Sequence, residues 1–269
     1  MIKIFLLIVS GFICTQFIQK QVIHILKESG RIRQNYKGER IPDSMGIALV
    51  FSMGVAIGFD TLFGWIENRQ VFTVFFPSAF MGFAGLVDDV LGNSYSKGFK
   101  GHINSLLKGK LTTGGVKAIA GFITSFFVSL QISSNPYYIV IDTFLISLTS
   151  NLINLLDTRP GRAVKGYMIF LFLPMFSGRL TGIHYISLGV LAAYLPLDLK
   201  AEGMLGDTGA NFIGMMLGIG LAISVQDFVL KLIIFIIVMF LNVASERYSF
   251  SRIIERNPVL RFIDNLGRL

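Results

Sequence analysis

Three short polar clusters lie at the ends of long apolar runs in this sequence. The clusters are Asp88-Asp89 in GLVDD, the Asn151, Asn154 and Asp157 set in NLINLLD, and Asp207 in LGDTG. Carboxylates at a bilayer boundary are costly unless water, a metal or another cation solvates them. Because the topology derived below puts all three clusters on one side of a membrane, they predict a metal-dependent site that handles phosphates.

The composition indicates an integral membrane protein. Of the 269 residues, 53% are hydrophobic and 15% are charged, and the mean hydropathy is +0.66, whereas a soluble domain carries about 25% charged residues. Apolar runs of roughly 20 residues cross a bilayer as helices and are too long for barrel strands. We therefore predict an all-α, polytopic integral membrane protein with about nine transmembrane helices. The predicted spans are about 2–25, 44–65, 71–91, 116–133, 137–157, 163–177, 182–198, 208–226 and 228–245.

The first apolar segment is predicted to be a span and not a cleaved signal peptide. It has no evident small-residue cleavage site and stays apolar to Leu26. The single cysteine, Cys14, lies within this segment, so an internal disulfide and a metal–thiolate site are both excluded.

The distribution of basic residues predicts the orientation. Nineteen of the 24 Lys and Arg residues fall in one set of connections, and four fall in the opposite set. Since Lys and Arg favour cytoplasmic loops, we expect the N-terminus outside and the C-terminus in the cytoplasm. The net charge of +8 then reflects topology and anionic lipid, and nucleic acid is not an expected partner. We assign 1–245 to one transmembrane domain and 246–269 to a basic cytoplasmic tail, either an amphipathic surface helix or a disordered segment.

The GLVDD cluster suits a general base or Mg²⁺ ligand. Gly82 and Gly85 permit close helix packing, and the adjacent carboxylates of Asp88 and Asp89 repel each other unless a cation is near. Mg²⁺ prefers such hard oxygen ligands. The alternative is a solvated helix end with two ordinary acids.

The other two clusters also keep two interpretations each. Asn151, Asn154 and Asp157 recur at i, i+3 and i+6 and share one broad helix face, which either lines a site or joins helices through amide hydrogen bonds. Asp207 is either a metal ligand or the N-cap of the following helix.

Basic residues near the clusters are candidate phosphate contacts. Lys117 opens the fourth predicted span, near the expected depth of Asp88, and could reach a diphosphate. Further candidate substrate-binding residues are Lys97, Arg159 and Arg162. The alternative for most of these residues is the topological bias alone.

In this order, GLVDD, a basic loop, NLINLLD and LGDTG resemble the polyprenyl-phosphate N-acetylhexosamine-1-phosphate transferase family, which includes the translocase I of peptidoglycan synthesis. The resemblance extends from about Gly38 to Gly218 and includes KGERIPDSMGIAL. It implies transfer of a sugar-1-phosphate from a nucleotide-sugar, of UDP-N-acetylhexosamine type, to a polyprenyl phosphate, with Mg²⁺ as cofactor and release of UMP. It also implies a bacterial plasma membrane, a cytoplasmic active site, a role in cell-envelope glycan assembly, and a possible homodimer.

The resemblance implies a role for each cluster. Asp207 would be the main Mg²⁺ ligand, Asp88 and Asp89 would hold the metal or deprotonate the lipid phosphate, and Lys117 would contact phosphate. Asn151, Asn154 and Asp157 would line the substrate site.

Several positions depart from the family pattern. The family usually has DGLDGLA where this chain has DTRPGRA, so that Pro160 stands at the position of the family's second Asp, which is implicated in holding the nucleobase. No histidine follows His184, Leu197 and Asp198 replace an expected Asn, and the chain has one or two fewer spans. These departures leave three hypotheses: a phosphoglycosyl transferase, a catalytically inactive relative that binds polyprenyl phosphate or a partner protein, and a transporter or flippase.

Overall fold

The computed structural model describes residues 1–92, 109, 112–175 and 177–268. Apart from one short hairpin, the ordered elements in these ranges are helices. The helices are α1 Ile2–Glu28, α2 Gly46–Leu62, α3 Asn68–Leu91, α4 Thr113–Ile132, α5 Pro136–Leu156, α6 Arg162–Met175, α7 Gly182–Leu199, α8 Gly206–Ser224, α9 Phe228–Ser245, α10 Phe250–Arg256 and α11 Pro258–Asn265. The prediction of an all-α, polytopic membrane protein is therefore confirmed.

All nine predicted spans are helical, but they differ in length. Within the described part of the chain, seven helices are long and apolar enough to cross a membrane: α1, α3, α4, α5, α7, α8 and α9. The other two are shorter, since α2 has 17 residues and α6 has 14 with Pro174 inside it. The predicted count of nine and the predicted orientation stay predictions.

Helix α8 forms the centre of the bundle. In the most apolar 18-residue stretch of α8, 83% is buried inside the protein, whereas 17% of the corresponding stretch of α9 is buried. Gly214 and Gly218 lie on the face of α8 that packs against α5, where a Cβ on either would lie 2.8 Å from the Cα of Ser150 or of Ile146. This G-x-x-x-G spacing lets two helix backbones approach closely, and it fixes the start of α8 beside the end of α5.

The hairpin precedes α2 and packs against the start of α8. Strands β1 Ile32–Gln34 and β2 Arg40–Pro42 pair antiparallel, with Arg33 opposite Ile41. The connection from β2 into α2 then pairs with the segment before α8, through Met45 N to Met204 O at 2.9 Å and Met204 N to Pro42 O at 2.8 Å. The sequence analysis did not predict this hairpin.

The C-terminal segment forms two short helices, α10 and α11, rather than one. They pack at the same end of the bundle as the start of α6, because Arg162 of α6 bonds to Asp264 of α11. Residues 250–256 and 258–265 are therefore helical, and the division at 245 into a transmembrane domain and a cytoplasmic tail stays a prediction.

Candidate active site

A cavity of about 200 Å³ lies where α3, α5 and α7 end and α8 begins. One member of each predicted polar cluster lines it: Asp89, Asp157 and Asp207. The structure therefore brings together, at one end of the bundle, residues that are well separated in the sequence, with 118 positions between Asp89 and Asp207.

The wall of this cavity is rich in acids. Of the described residues that line it, five are aspartates and two are arginines: Asp43, Asp89, Asp157, Asp198, Asp207, Arg33 and Arg159. Neighbouring carboxylates raise one another's cost of ionisation. Such a cavity favours an added cation, and it accepts a phosphate-bearing ligand only when cations accompany the phosphate.

Lys117 joins the first and third clusters. Its Nζ donates to Asp88 Oδ2 at 2.8 Å and also to Asp207 Oδ2. The other Asp88 oxygen, Oδ1, accepts a hydrogen bond from Thr113 Oγ1 at 2.5 Å. The side chains of Lys117, Asp88 and Asp207 are 13%, 18% and 31% exposed, so these ion pairs are partly shielded from water and are stronger than surface pairs.

Asp89 caps α8 from a neighbouring helix. Its Oδ1 accepts from Asp207 N at 3.0 Å, and its Oδ2 accepts from Thr208 N at 3.0 Å and Thr208 Oγ1 at 2.7 Å. The first backbone N–H groups of a helix lack partners within the helix and carry partial positive charge. The Asp89 carboxylate satisfies both needs, so the α8 cap comes from Asp89 and not from Asp207.

Two glycines of the motifs make this contact possible. A Cβ on Gly85 would lie 2.2 Å from the Asp207 carbonyl oxygen, and a Cβ on Gly206 would lie 2.8 Å from Asp89 Oδ2. Gly206 also has φ +73°, a conformation that side chains with a Cβ rarely adopt. The glycines in GLVDD and LGDTG therefore allow α3 to reach the start of α8.

Asp157 and Asp198 are two further acids of the cavity wall. Asp157 is the C-cap of α5. Burial raises the pKa of the Asp157 carboxyl well above its usual 3.8, and the carboxylates of Asp198 and Asp207 raise it further. Asp198 is buried and accepts a hydrogen bond from Gly161 N at 2.9 Å. A cation in the cavity would offset the repulsion among these groups.

Asp43 is a wall residue that the sequence analysis missed. It forms ion pairs with Arg31 and Arg33, both at 3.2 Å, and Arg31 Nη2 also donates to the Asp89 carbonyl at 2.9 Å. Burial and the nearby Asp89 carboxylate raise the pKa of Asp43, while the two arginines oppose them. An acid directly before an apolar run, in IPDSMG, was the available signal. Asp198 was noted only as a departure from the family pattern.

The two predicted asparagines lie outside the cavity wall. Asn151 Nδ2 donates to Asn242 Oδ1 of α9 at 2.7 Å, which is the helix-joining interpretation of this cluster. The Oδ1 atom of Asn154 is buried and has no hydrogen-bond partner among the described residues.

The three other predicted basic residues have different positions. Arg159 lines the cavity with its guanidinium 4.8 Å from the centre of the Tyr36 ring, a cation–π distance. Arg162 is buried, and its guanidinium is bound to Asp264, Thr158 and Ser251 instead of lining the cavity. Lys97 lies outside the described residues.

The donor set suits the Mg²⁺ that the family resemblance implies. Asp88 and Asp207 present carboxylate oxygens, and they already share one positive group, the Lys117 ammonium. In the described ranges, no group of three or more His, Cys, Asp or Glu side chains could hold a metal ion. Mg²⁺ usually takes one or two carboxylates and completes its shell with water and substrate phosphates, so a two-carboxylate site fits this ion.

The fold and the cavity define a class of protein: an all-α, multi-pass membrane protein with a carboxylate-rich site at one end of the helix bundle. No family model matches the chain. The chain is similar to curated proteins named phospho-N-acetylmuramoyl-pentapeptide-transferase. The one from Chlorobaculum tepidum is 23% identical over 85% of this chain and 70% of its own length. The one from Nautilia profundicola is 25% identical over 87% of this chain and 76% of its own length. The one from Pelodictyon phaeoclathratiforme is 24% identical over 83% of this chain and 68% of its own length. These matches confirm the resemblance drawn from the motifs: the chain is similar to these transferases, at 23–25% identity, over most of its length.

Proposed function

We propose that the protein transfers a sugar-1-phosphate from a nucleotide-sugar to a polyprenyl phosphate, with Mg²⁺, at the cavity described above. The observation that carries this proposal is the contact of Lys117 with both Asp88 and Asp207, beside a cavity lined by acids. The similarity to phospho-N-acetylmuramoyl-pentapeptide-transferases supports the same reaction class.

Charge balance explains why this arrangement suits the reaction. Two phosphate-bearing substrates repel each other, and cations are the means by which phosphoryl-transfer sites hold them together. The cavity has more carboxylates than cationic side chains on its described wall. A divalent metal held by Asp88 and Asp207 would offset most of this negative charge, and it would leave the Lys117 ammonium able to contact a phosphate.

The proposed bond changes are a single in-line displacement. An oxygen of the lipid phosphate attacks the sugar-bearing β-phosphorus of the donor, a new P–O bond forms, and the bond to the bridging oxygen breaks. The nucleoside monophosphate leaves with that electron pair. In this proposal Asp88 accepts the proton of the lipid phosphate, which is the role that the family resemblance implies, and Lys117 and Thr113 hold its carboxylate in place.

Asp89 has a positioning role in this proposal. Both of its oxygens are bound to the first turn of α8, which carries Asp207. Asp89 therefore fixes the backbone that presents Asp207 to the cavity, a different role from the metal or base function that the family resemblance implies.

The wall that departs from the family pattern is the proposed donor pocket. Asp157, Thr158, Arg159 and Pro160 line the cavity, and they belong to the DTRPGRA segment. We infer that this segment selects the nucleotide-sugar, with Arg159 binding an anionic or planar part of it. The described basic connections, 26–43, 158–165, 198–206 and 246–268, lie at this end of the bundle, so we place the cavity on the cytoplasmic face of a bacterial membrane.

The proposal is tested with purified protein, undecaprenyl phosphate, Mg²⁺ and a panel of UDP-, GDP- and CDP-sugars. Release of nucleoside monophosphate and formation of a lipid-linked diphosphosugar are measured together, the latter by mass spectrometry. Formation of both products with one donor is expected. Absence of product with every donor, from folded protein that binds the lipid phosphate, would overturn the proposal and favour the catalytically inactive relative.

Asp207→Asn is the test variant, and Asp227→Asn is its matched control. Asp227 caps α9 at the opposite end of the bundle, where it accepts a hydrogen bond from Leu230 N at 2.8 Å. Loss of about 10²-fold or more in transfer rate is expected only for Asp207→Asn, because removal of one preorganised electrostatic group commonly costs that much. Equal turnover in both variants would contradict the assignment of Asp207.

A further inference from the structure

The C-terminal helix α11 is bound to α6 through one aspartate. Asp264 accepts two hydrogen bonds from Arg162, Nε to Oδ1 at 2.8 Å and Nη2 to Oδ2 at 2.9 Å. It accepts two more from Arg268, at 3.1 and 3.2 Å. Such two-pronged pairs of arginine and carboxylate are among the strongest hydrogen-bonded contacts in proteins. Asp264 and Arg162 are only 8% and 5% exposed, so water does not screen them.

The same groups reach the loop between α5 and α6. Arg268 Nη2 donates to the Pro160 carbonyl at 2.9 Å. Arg162 Nη1 donates to Thr158 Oγ1 at 2.7 Å and to Ser251 Oγ of α10 at 2.8 Å. Both ends of the tail therefore contact the 157–161 segment or the helix that follows it.

Lys165 strengthens this attachment from α6. Its Nζ donates to the carbonyl oxygens of Ile263, Asp264 and Leu266, at 3.0, 2.5 and 3.3 Å. These carbonyls lie at the C-terminal end of α11, where the last carbonyls lack partners in the helix and a cation is stabilising.

The opposite side of the 157–161 loop forms the cavity wall. Asp157, Thr158, Arg159 and Pro160 line the cavity, and Gly161 N is held by Asp198 Oδ2 at 2.9 Å. The loop is thus held between the cavity-lining Asp198 on one side and the tail on the other. It has no regular secondary structure of its own to fix it.

We propose that Asp264 is a positioning residue: it docks the α10–α11 tail on the 157–161 loop and thereby sets where Arg159 and Asp157 lie in the donor pocket. The Lys117 contacts with Asp88 and Asp207 do not involve the tail. Loosening the tail therefore weakens donor binding much more than it slows the bond change. The kinetic part rests on the proposed function, whereas the docking and the loop position do not.

Docking is tested by a cysteine pair, Thr158→Cys with Ser251→Cys, in a Cys14→Ser background. The two hydroxyl oxygens are 3.3 Å apart, so mild oxidation in membranes should link the pair in high yield. Failure to form the link would overturn the docking, whether or not the protein turns over substrate.

Loop position is tested by labelling a single cysteine, Arg159→Cys in the same background, with a water-soluble maleimide. Asp264→Asn should raise the labelling rate by about threefold or more, because the side chain at 159 is 33% exposed when the tail is docked. Asp227→Asn is the matched control and should leave the rate unchanged. An unchanged rate in the Asp264→Asn protein would overturn the positioning role even if no transferase activity is found.

The kinetic arm separates positioning from a loss of stability. Asp264→Asn should raise the KM for the nucleotide-sugar about tenfold, with kcat changed less than about threefold, which is the pattern of lost ground-state binding. Oxidising the 158–251 cysteine pair in the Asp264→Asn protein should return the KM to that of the oxidised cysteine-pair protein in which Asp264 is intact. The proposal would be overturned if kcat fell while KM stayed unchanged, or if oxidation left the KM raised.

Discussion

Replacing Asp89 with alanine tests whether this residue acts as the cap of α8. The change removes three hydrogen bonds, to Asp207 N, Thr208 N and Thr208 Oγ1, at a position that is 8% exposed. Each of the three donors costs roughly 1–3 kcal/mol if it stays buried without an acceptor. With partial rescue by water, a total loss of about 4 kcal/mol in the free energy of unfolding is expected.

Thr208→Val provides the smaller step of the same series. It removes only the hydroxyl contact, so about 1 kcal/mol is expected. Because this hydroxyl bonds to Asp89 itself, the double variant should be less destabilised than the two single changes added together, by about 1 kcal/mol. Asp227→Ala is the matched control, since it removes a cap that is exposed to solvent, at about 1 kcal/mol.

The assay is thermal unfolding in detergent, followed by the fluorescence of the single tryptophan, Trp65. For a protein of this size, 1 kcal/mol corresponds to roughly 2–4 °C in Tm, so Asp89→Ala should lower Tm by about 12 °C. A Tm within about 2 °C of the unmodified protein would refute the cap. If transfer were also abolished in such a stable variant, Asp89 would act in the chemistry directly.

Three further predictions follow from the buried charges. Lys117→Met should lower the unfolding free energy by about 3 kcal/mol, since it leaves two partly buried carboxylates without their shared cation. Mg²⁺ should raise the Tm of this variant more than it raises the Tm of the unmodified protein. An equal effect of Mg²⁺ on both proteins would contradict a carboxylate metal site. Asp157→Asn should make the protein more stable than the unmodified form at pH 8 in EDTA, and the difference should shrink towards pH 4. The reason is that the folded-state pKa of Asp157 is raised above 3.8, so the unmodified protein loses stability as the pH rises through that folded-state pKa. Parallel curves of Tm against pH for the two proteins would refute this. At the other end of the bundle, Lys231 Nζ lies 2.7 Å from Asp142 Oδ1, and both side chains are buried. Lys231→Met alone should lower the free energy of unfolding by about 3–5 kcal/mol, while the Asp142→Leu/Lys231→Met double variant should be nearly as stable as the unmodified protein. An equal loss of stability in both variants would show that the unpaired Asp142 charge is not the cause.

The membrane class and the location of the site followed from local patterns. Long apolar runs specify membrane helices because a bilayer requires every backbone polar group to be paired within the segment. The polar clusters marked the ends of α3 and α5 and the start of α8, and the structure places members of all three around one cavity. Helix boundaries differed by a few residues from those expected, as at α8, which begins at Gly206 and not at position 208.

Individual side-chain partners could not be predicted in the same way. Asp88 and Asp89 are adjacent and of one type, yet one pairs with Lys117 and the other caps α8. Asn151 bonds to Asn242 of another helix. In each case the partner is distant in sequence, so only the packing of helices decides which oxygen meets which donor.

By itself, the amino-acid sequence determined that this chain is a membrane-embedded helical protein with acids gathered at helix ends, because composition and periodicity act locally through the cost of placing charge and backbone in lipid. Only the tertiary structure decided that Asp198 and Asp43 join the site and that Arg162 belongs to the tail through Asp264. Those contacts arise when the G-x-x-x-G face of α8 packs against α5 and brings distant loops to one end of the bundle. That geometry depends on the fit of whole helices, which no short stretch of sequence contains.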